Sequence, residues 1–201
     1  SHMKTHGVSS SILSAVRAGV ADQIAGIAKR PFDGSSIHSI EKRFIETIGQ
    51  SGSHGLSQLL CSNDEYRKTV IVNGQKHYRK YFATGRYLTL LGEISLKRGI
   101  YQSNLATRSI CPLELKLGFI NHYVSFAAAE YICYSMASMT LSEFVKHCKK
   151  WALMKPSEGT VKRVLEYVGH FLETSSVLDQ IRSEETQPTE AVTLAMSIDS
   201  T

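Results

Sequence analysis

No run of apolar residues in this 201-residue chain approaches the ~20 that a membrane-spanning helix needs. The first apolar residues fall in a pattern broken by Arg17 and Asp22, which excludes a secretory leader and predicts a cytosolic protein. Cysteine is sparse and scattered, at Cys61, Cys111, Cys133 and Cys148, with no C-x-x-C pair. Structural zinc needs closely spaced thiolates or imidazoles, so the four are expected to be reduced thiols. His147 and Cys148 are adjacent, but neighbours on a helix point in different directions. There is no Ser-His-Asp constellation, no Gly-rich phosphate loop and no H-E-x-x-H pattern, so nothing in the sequence supports an autonomous enzyme or a cofactor.

What the chain does have is unevenly placed positive charge. The overall net charge is +5. From Arg67 to Tyr101, Arg67, Lys68, Lys76, Arg79, Lys80, Arg86, Lys97 and Arg98 face only Glu93, a net +7. From Thr140 to Leu165 six cations face Glu143 and Glu158, a net +4, whereas the chain from Glu166 onward carries −6. Two basic blocks and an acidic tail suit a polyanion-binding core with a solvating or linking C-terminus. A solvated basic surface without a partner is the bland alternative.

Residues 10–29 place Ile12, Leu13, Val16, Val20, Ile24 and Ile27 near helical spacing. Arg30–Gly34, with Pro31, reads as a break. A second helix is expected from about Ser36, with Ile37, Ile40, Phe44, Ile45 and Ile48 on one face. Gly49, Gly52 and Gly55 are expected to loosen its end before a short helix at Leu56, Leu59 and Leu60. This front part reads as packing or homodimerising material.

Near residue 69 the period changes to two. Thr69–Val72 and Gln75–Phe82 flank Asn73-Gly74, a strong hairpin signal because both turn residues must accept positive φ. Gly85 is expected to mark the next reversal, with Tyr87–Leu91 and Glu93–Tyr101 as further strands around a bulge or tight turn at Gly92. Leu90, Ile94 and Leu96 would share an apolar face, opposite Glu93, Ser95 and Lys97. Tyr78, Tyr81, Tyr87 and Tyr101 interleave with the cations, a combination suited to phosphate contact plus stacking. Tyrosine is equally a good strand former.

Residues 104–122 read as a connector containing Pro112, and three short helices follow. Ser125 caps the first, which runs to about Ser138. Thr140-Leu-Ser-Glu143 is a capping box opening the second, whose stripe is Leu141, Phe144, Val145, Cys148, Trp151 and Ala152. Ala152–Pro156 is the turn, and Ser157 caps the third, with its stripe at Val161, Val164, Leu165, Val168, Phe171 and Leu172. This is the outline of a tri-helical helix-turn-helix, in which the last helix enters the major groove. Ser157, Thr160, Lys162, Arg163 and Tyr167, with Glu158 beside them, would then face DNA, while Lys146, Lys149, Lys150 and Lys155 grip phosphates. On the sheet, Arg79, Lys80, Arg86, Lys97 and Arg98 would meet phosphates. From Thr174 the chain reads as an acidic linker, followed by a strand-like Ala191–Asp199.

The order of Arg86–Arg98, Pro112–Gly118 and the helices starting at Ser125 and Thr140 resembles the N-terminal half of bacterial ISKra-like insertion-sequence transposases. In that family a T-x-x-G-x-x-x-x-x-R strand pair precedes a P-L-D-x-x-L-G-L element, a helix-turn-helix and a DDE catalytic domain. Thr89, Gly92 and Arg98 sit at matching positions, as do Pro112, Leu113, Leu117 and Gly118, with Glu114 for the family's Asp. Some relatives carry cysteines after the strand pair, where this chain has Gln102 and Ser103. The resemblance implies that Asp199 is the first of three metal-binding carboxylates. A single carboxylate cannot hold two divalent ions, so Asp199 is expected to be vestigial or incomplete. Magnesium would be implied only with a complete catalytic domain.

The sequence therefore predicts an α+β chain, mostly helical, with a small antiparallel sheet of three to four strands followed by a tri-helical helix-turn-helix. Its expected segments are a cloning scar at 1–3, helices over 4–66, the basic sheet over 67–103, the helix-turn-helix over 104–175, and a linker with the start of a truncated catalytic domain over 176–201. The expected partner is duplex DNA. The alternatives are a stand-alone helix-turn-helix regulator, a protein-interaction module with incidental basic charge, and an RNA binder using the sheet.

Overall fold

A computed structural model describes residues 10–29, 37–64, 66–104 and 108–175. The expected scar, the break at Arg30–Gly34, the acidic linker beyond residue 175 and Asp199 lie outside the described residues. The fold is α+β, in the order α1 (Ser10–Ala28), α2 (Ile37–Cys61), β1 (Thr69–Val72), β2 (Gln75–Thr89), β3 (Gly92–Gln102), α3 (Pro112–Leu117), α4 (Phe126–Met136), α5 (Leu141–Trp151) and α6 (Glu158–Thr174). The chain divides within α6 into two compact units, the first ending at Leu165 and the second starting at Glu166.

In the first unit the sheet runs β1-β2-β3, antiparallel throughout. Asn73 and Gly74 take φ of 50° and 74°, as the hairpin signal requires. The next reversal is not at Gly85. That residue is buried in the middle of a 15-residue β2, and the chain reverses at Leu90-Leu91, between the paired Thr89 and Gly92. Gly85 is there for space: a Cβ would come within 2.6 Å of both Tyr87 Oη and Arg98 Nε. Leu90 consequently sits in the turn, 43% exposed, and leaves the apolar face to Tyr87, Ile94, Leu96 and Ile100.

That face packs on Cys111 and Leu113, with Leu56, Leu60 and Cys61 of α2 and Leu117 of α3 around it. One core thus spans the segments expected as front helices, sheet and connector. The connector itself contains α3, which begins on Pro112 and ends on Gly118 at φ 62°. The outer edge of β3 is closed group by group. Ser57 Oγ donates to the Ser95 carbonyl at 2.6 Å, and the Cys61 thiol approaches the Lys97 carbonyl at 3.9 Å. Gly99 N donates to buried Asp64 at 3.0 Å, and Tyr101 exchanges two backbone bonds with Ile110. An edge covered in this way cannot pair with another chain.

α2 is a single helix of 25 residues rather than a helix that frays at its glycines. Gly49, Gly52 and Gly55 form a groove that takes neighbouring side chains: a Cβ would lie 2.5 Å from Leu153, 3.2 Å from Leu91 and 3.0 Å from Val16. Packing against those side chains holds the helix together through three residues of low helix propensity. The apolar residues expected on its packed face, Ile37, Phe44, Ile45 and Ile48, are exposed.

The caps of α4 and α5 are as expected, with Ser125 accepting from Ala128 N and Thr140–Glu143 closing both halves of the capping box, and the expected stripes hold over α5 up to Cys148 and the start of α6. Ala128, Ala129, Ile132, Phe144, Cys148, Met154, Val161 and Val164 are buried, and Tyr131 packs its ring 5.9 Å from Phe144. Trp151 departs from the expected stripe and is 56% exposed. At the last turn of α5 the helix has passed the end of its buried strip, so a residue at the correct spacing meets solvent. The described part of the second unit is the C-terminal half of α6, where Phe171 is 56% exposed.

Candidate nucleic-acid interface

The register of β2 and β3 sorts the cations between two faces. Thr84 pairs with Lys97 and Arg86 with Ser95 on the outer face, while Ala83 pairs with Arg98 and Gly85 with Leu96 on the inner one. A bulge between Arg79 and Tyr81 absorbs Lys80. Such an insertion re-aims the residues beside it. It leaves Arg79 over the Phe82 ring, with the guanidinium carbon 4.4 Å from the centroid. Arg79 is anchored there by the carbonyls of Tyr66 at 2.5 Å and Arg67 at 3.4 Å. Lys97 Nζ lies 5.3 Å from the same centroid, and the Tyr66 ring lies 5.6 Å from it at 52°. Lys80, Arg86 and Lys97 are exposed. Glu93 partly offsets Arg86 at 3.6 Å and accepts from Tyr123 Oη at 3.2 Å.

Arg98 corrects the phosphate-contact expectation. It lies on the inner face, ion-paired with Glu114 of α3, and Glu114 also accepts from Tyr87 Oη at 2.5 Å. Burial pushes the Tyr87 phenol far above its ordinary range, with the Glu114 contact adding to the effect. Burial is the largest single influence and works against the Arg98 charge, but Glu114, Tyr87 and Cys111 together hold the guanidinium above its ordinary value. Cys111 sits at the same cluster, its thiol pushed up by burial. Tyr101, at 0% exposure, donates to the Arg67 carbonyl at 2.7 Å and is likewise part of the packing. Of the four interleaved tyrosines only Tyr78 and Tyr81 are exposed.

On the helices, Lys146, Lys149, Lys150, Lys162 and Arg163 are exposed, with Arg163 Nε turned back to the Gly159 carbonyl at 3.2 Å. Lys155 is engaged instead: its ammonium donates to the Cys148 and Lys149 carbonyls at 3.1 and 2.8 Å, satisfying the end of α5. Thr160 is 6% exposed, so it faces inward and not toward a groove; its hydroxyl lies 2.9 Å from Ser157 Oγ, which accepts from Thr160 N. Ser157 is thereby a cap. Tyr167 is exposed in the second unit.

Three residues absent from the sequence-based set belong here. Phe82 and Tyr66 are exposed beside Arg79 and Lys97, and Trp151 has Lys42 and Lys150 at 5.9 and 5.1 Å from its ring. Counting back in twos from buried Tyr87 places Phe82 opposite the core, so that signal was present in the sequence. Tyr66, at φ 45°, had none. Among the described residues no group of three His, Cys, Asp or Glu could hold a metal ion, and no helix is long and apolar enough to cross a membrane. Compared with known proteins, the chain matches no family model, no curated protein and no solved structure.

Proposed function

We propose that the chain binds duplex DNA, using the α5–turn–α6 segment as a helix-turn-helix and the outer sheet face as a second phosphate contact. The supporting observation is that Lys146, Lys149, Lys150 and Lys162 all reach solvent on α5 and the first turns of α6. Among the described residues, none of the four is in an ion pair, so their charge is available to a polyanion. Arg163 is exposed beside Lys162 on α6, and in this reading it meets a base edge, where arginine pairs bidentately with guanine.

The narrower reading is the end-binding portion of an insertion-sequence transposase. Its support is that the two resembling motifs meet through Arg98, which pairs with Glu114, while within the first motif Thr89 Oγ1 donates to the Gly92 carbonyl at 2.9 Å. In this reading the chain binds without strand chemistry of its own, in the cytosol.

The test is fluorescence anisotropy with a labelled duplex between about 50 mM and about 200 mM salt. Contact with about six phosphates gives a log–log slope near −5. Absence of binding at the lower salt, or an affinity that does not change with salt, rejects the reading.

A further inference from the structure

Four residues from three parts of the chain converge on the outer face of the sheet: Tyr66 from the loop after α2, Arg79 and Phe82 from β2, and Lys97 from β3. Phe82 and Tyr66 are 39% and 43% exposed, although rings of this size are normally buried where a core can take them. The core of this sheet is on its other face and is already filled.

The arrangement is also held in place. Tyr66 adopts φ 45°, a costly conformation for a residue with a side chain, and Arg79 Nη1 fixes its carbonyl at 2.5 Å. The same guanidinium sits over one side of Phe82, its carbon 4.4 Å from the ring centroid. Lys97 flanks the aromatic pair and is exposed, as is Lys80 in the adjoining bulge, whereas Asp64 is buried and spent on Gly99 N.

From this we infer that Phe82 forms a stacking platform for an unpaired base of single-stranded DNA, with the Tyr66 ring, tilted 52° to it, as the wall beside the base and Lys97 and Lys80 on the flanking phosphates. The inference rests on the DNA-binding reading and adds a substrate form to it. Aromatic faces accept any base, and cations alongside take the backbone without reading sequence. A paired base has its faces covered by its neighbours in the stack. The platform therefore discriminates unpaired from paired DNA, which the helical surface does not. Lys97 has its ammonium 5.3 Å from the Phe82 centroid, and it is exposed, so it can swing to a phosphate as a base enters.

The test compares four fluorescein-labelled ligands at one salt concentration: a thymidylate dodecamer, an abasic dodecamer with the same phosphates, a uridylate dodecamer, and a duplex. The wild-type chain binds the thymidylate strand more tightly than the abasic one by about 5- to 100-fold, the range for one or two stacked bases. Phe82→Ala erases that ratio, and Phe82→Trp restores it. Phe82→Leu keeps the apolar volume without the ring; it also loses the ratio and covers the case in which the alanine variant does not fold. A wild-type ratio near one, or a ratio unchanged in Phe82→Leu, overturns the platform. A uridylate strand bound more tightly than the thymidylate strand overturns the assignment to DNA. Failure of the duplex arm alone rejects the helical surface and leaves the platform standing, because the thymidylate-to-abasic ratio decides it separately.

Discussion

Arg98 on β3 and Glu114 on α3 form an ion pair beneath the sheet, and Tyr87 donates to the same carboxylate. Arg98 keeps 22% of its side chain in solvent and Glu114 12%. Removing either partner leaves a largely desolvated charge beside the core. Breaking a fully buried pair costs ~3–5 kcal/mol; with this much solvent contact, about 2–3 kcal/mol is expected for Arg98→Ala or Glu114→Ala. Thermal unfolding by circular dichroism should show a fall of about 5–10 °C. DNA affinity of the folded variant should be unchanged, unlike that of Lys97→Ala. The Tyr87 phenol adds a pH dependence. Its folded value is raised, so its contribution is complete below the ordinary phenol range near 10 and is lost as pH climbs toward that raised value. Wild-type stability should therefore fall more steeply above pH ~10 than that of Tyr87→Phe. Parallel alkaline curves would refute this.

Two glycines should respond to alanine in opposite directions. Gly26, on α1, has nothing within 4 Å of a built Cβ, so Gly26→Ala should stabilise by ~1 kcal/mol through helix propensity alone. Gly92 follows the β2–β3 turn at φ 105°, with the Leu153 carbonyl 3.4 Å from where a Cβ would sit. Gly92→Ala should cost ~1–3 kcal/mol from the backbone conformation. Urea melts of the two variants decide the matter, and a shift of the same sign in both would contradict the assignment.

These two positions also mark how far the sequence could be read. The hairpin at Asn73-Gly74, the Ser125 cap of α4, the capping box at Thr140 and the stripes of α5 and early α6 were all legible, because each is set by residues within a few positions of one another. The tertiary context of single residues was not. Gly85 reads as a turn in isolation, yet it is a strand residue making room for Tyr87 and Arg98. Arg98 reads as one more cation in a basic block until the β2–β3 register turns it inward to Glu114. Thr160 and Lys155 look available at helical spacing, but one is buried at the start of α6 and the other closes α5. The glycines of α2 look like weak points because their partners, Val16, Leu91 and Leu153, lie far away in sequence. The Tyr66–Phe82 platform depends on the bulge at Lys80 and on a loop conformation that no short-range pattern encodes.

The difference between Lys155 and its neighbours Lys149 and Lys150 can be measured directly. All three lie near the C-terminus of α5, where a positive charge complements the helix dipole, so removing any of them should lower stability by ~0.3–1 kcal/mol. Stability alone therefore does not separate their roles, but salt dependence does. The Lys155 ammonium already donates to two carbonyls, at 3.1 and 2.8 Å, and is held on the protein. Lys149 and Lys150 project from the helix, and Lys150 makes only a loose contact, 5.1 Å from the Trp151 ring centroid. Each phosphate contact contributes about 0.9 to the slope of log affinity against log salt. Lys149→Ala combined with Lys150→Ala should make the duplex-binding slope shallower by about 2, equally for target and scrambled sequences. Lys155→Met should leave the slope where it is and shift only the melting temperature. A shallower slope for Lys155→Met would mean that its ammonium leaves the α5 carbonyls for phosphate when DNA binds. An unchanged slope for the double variant would remove α5 from the interface.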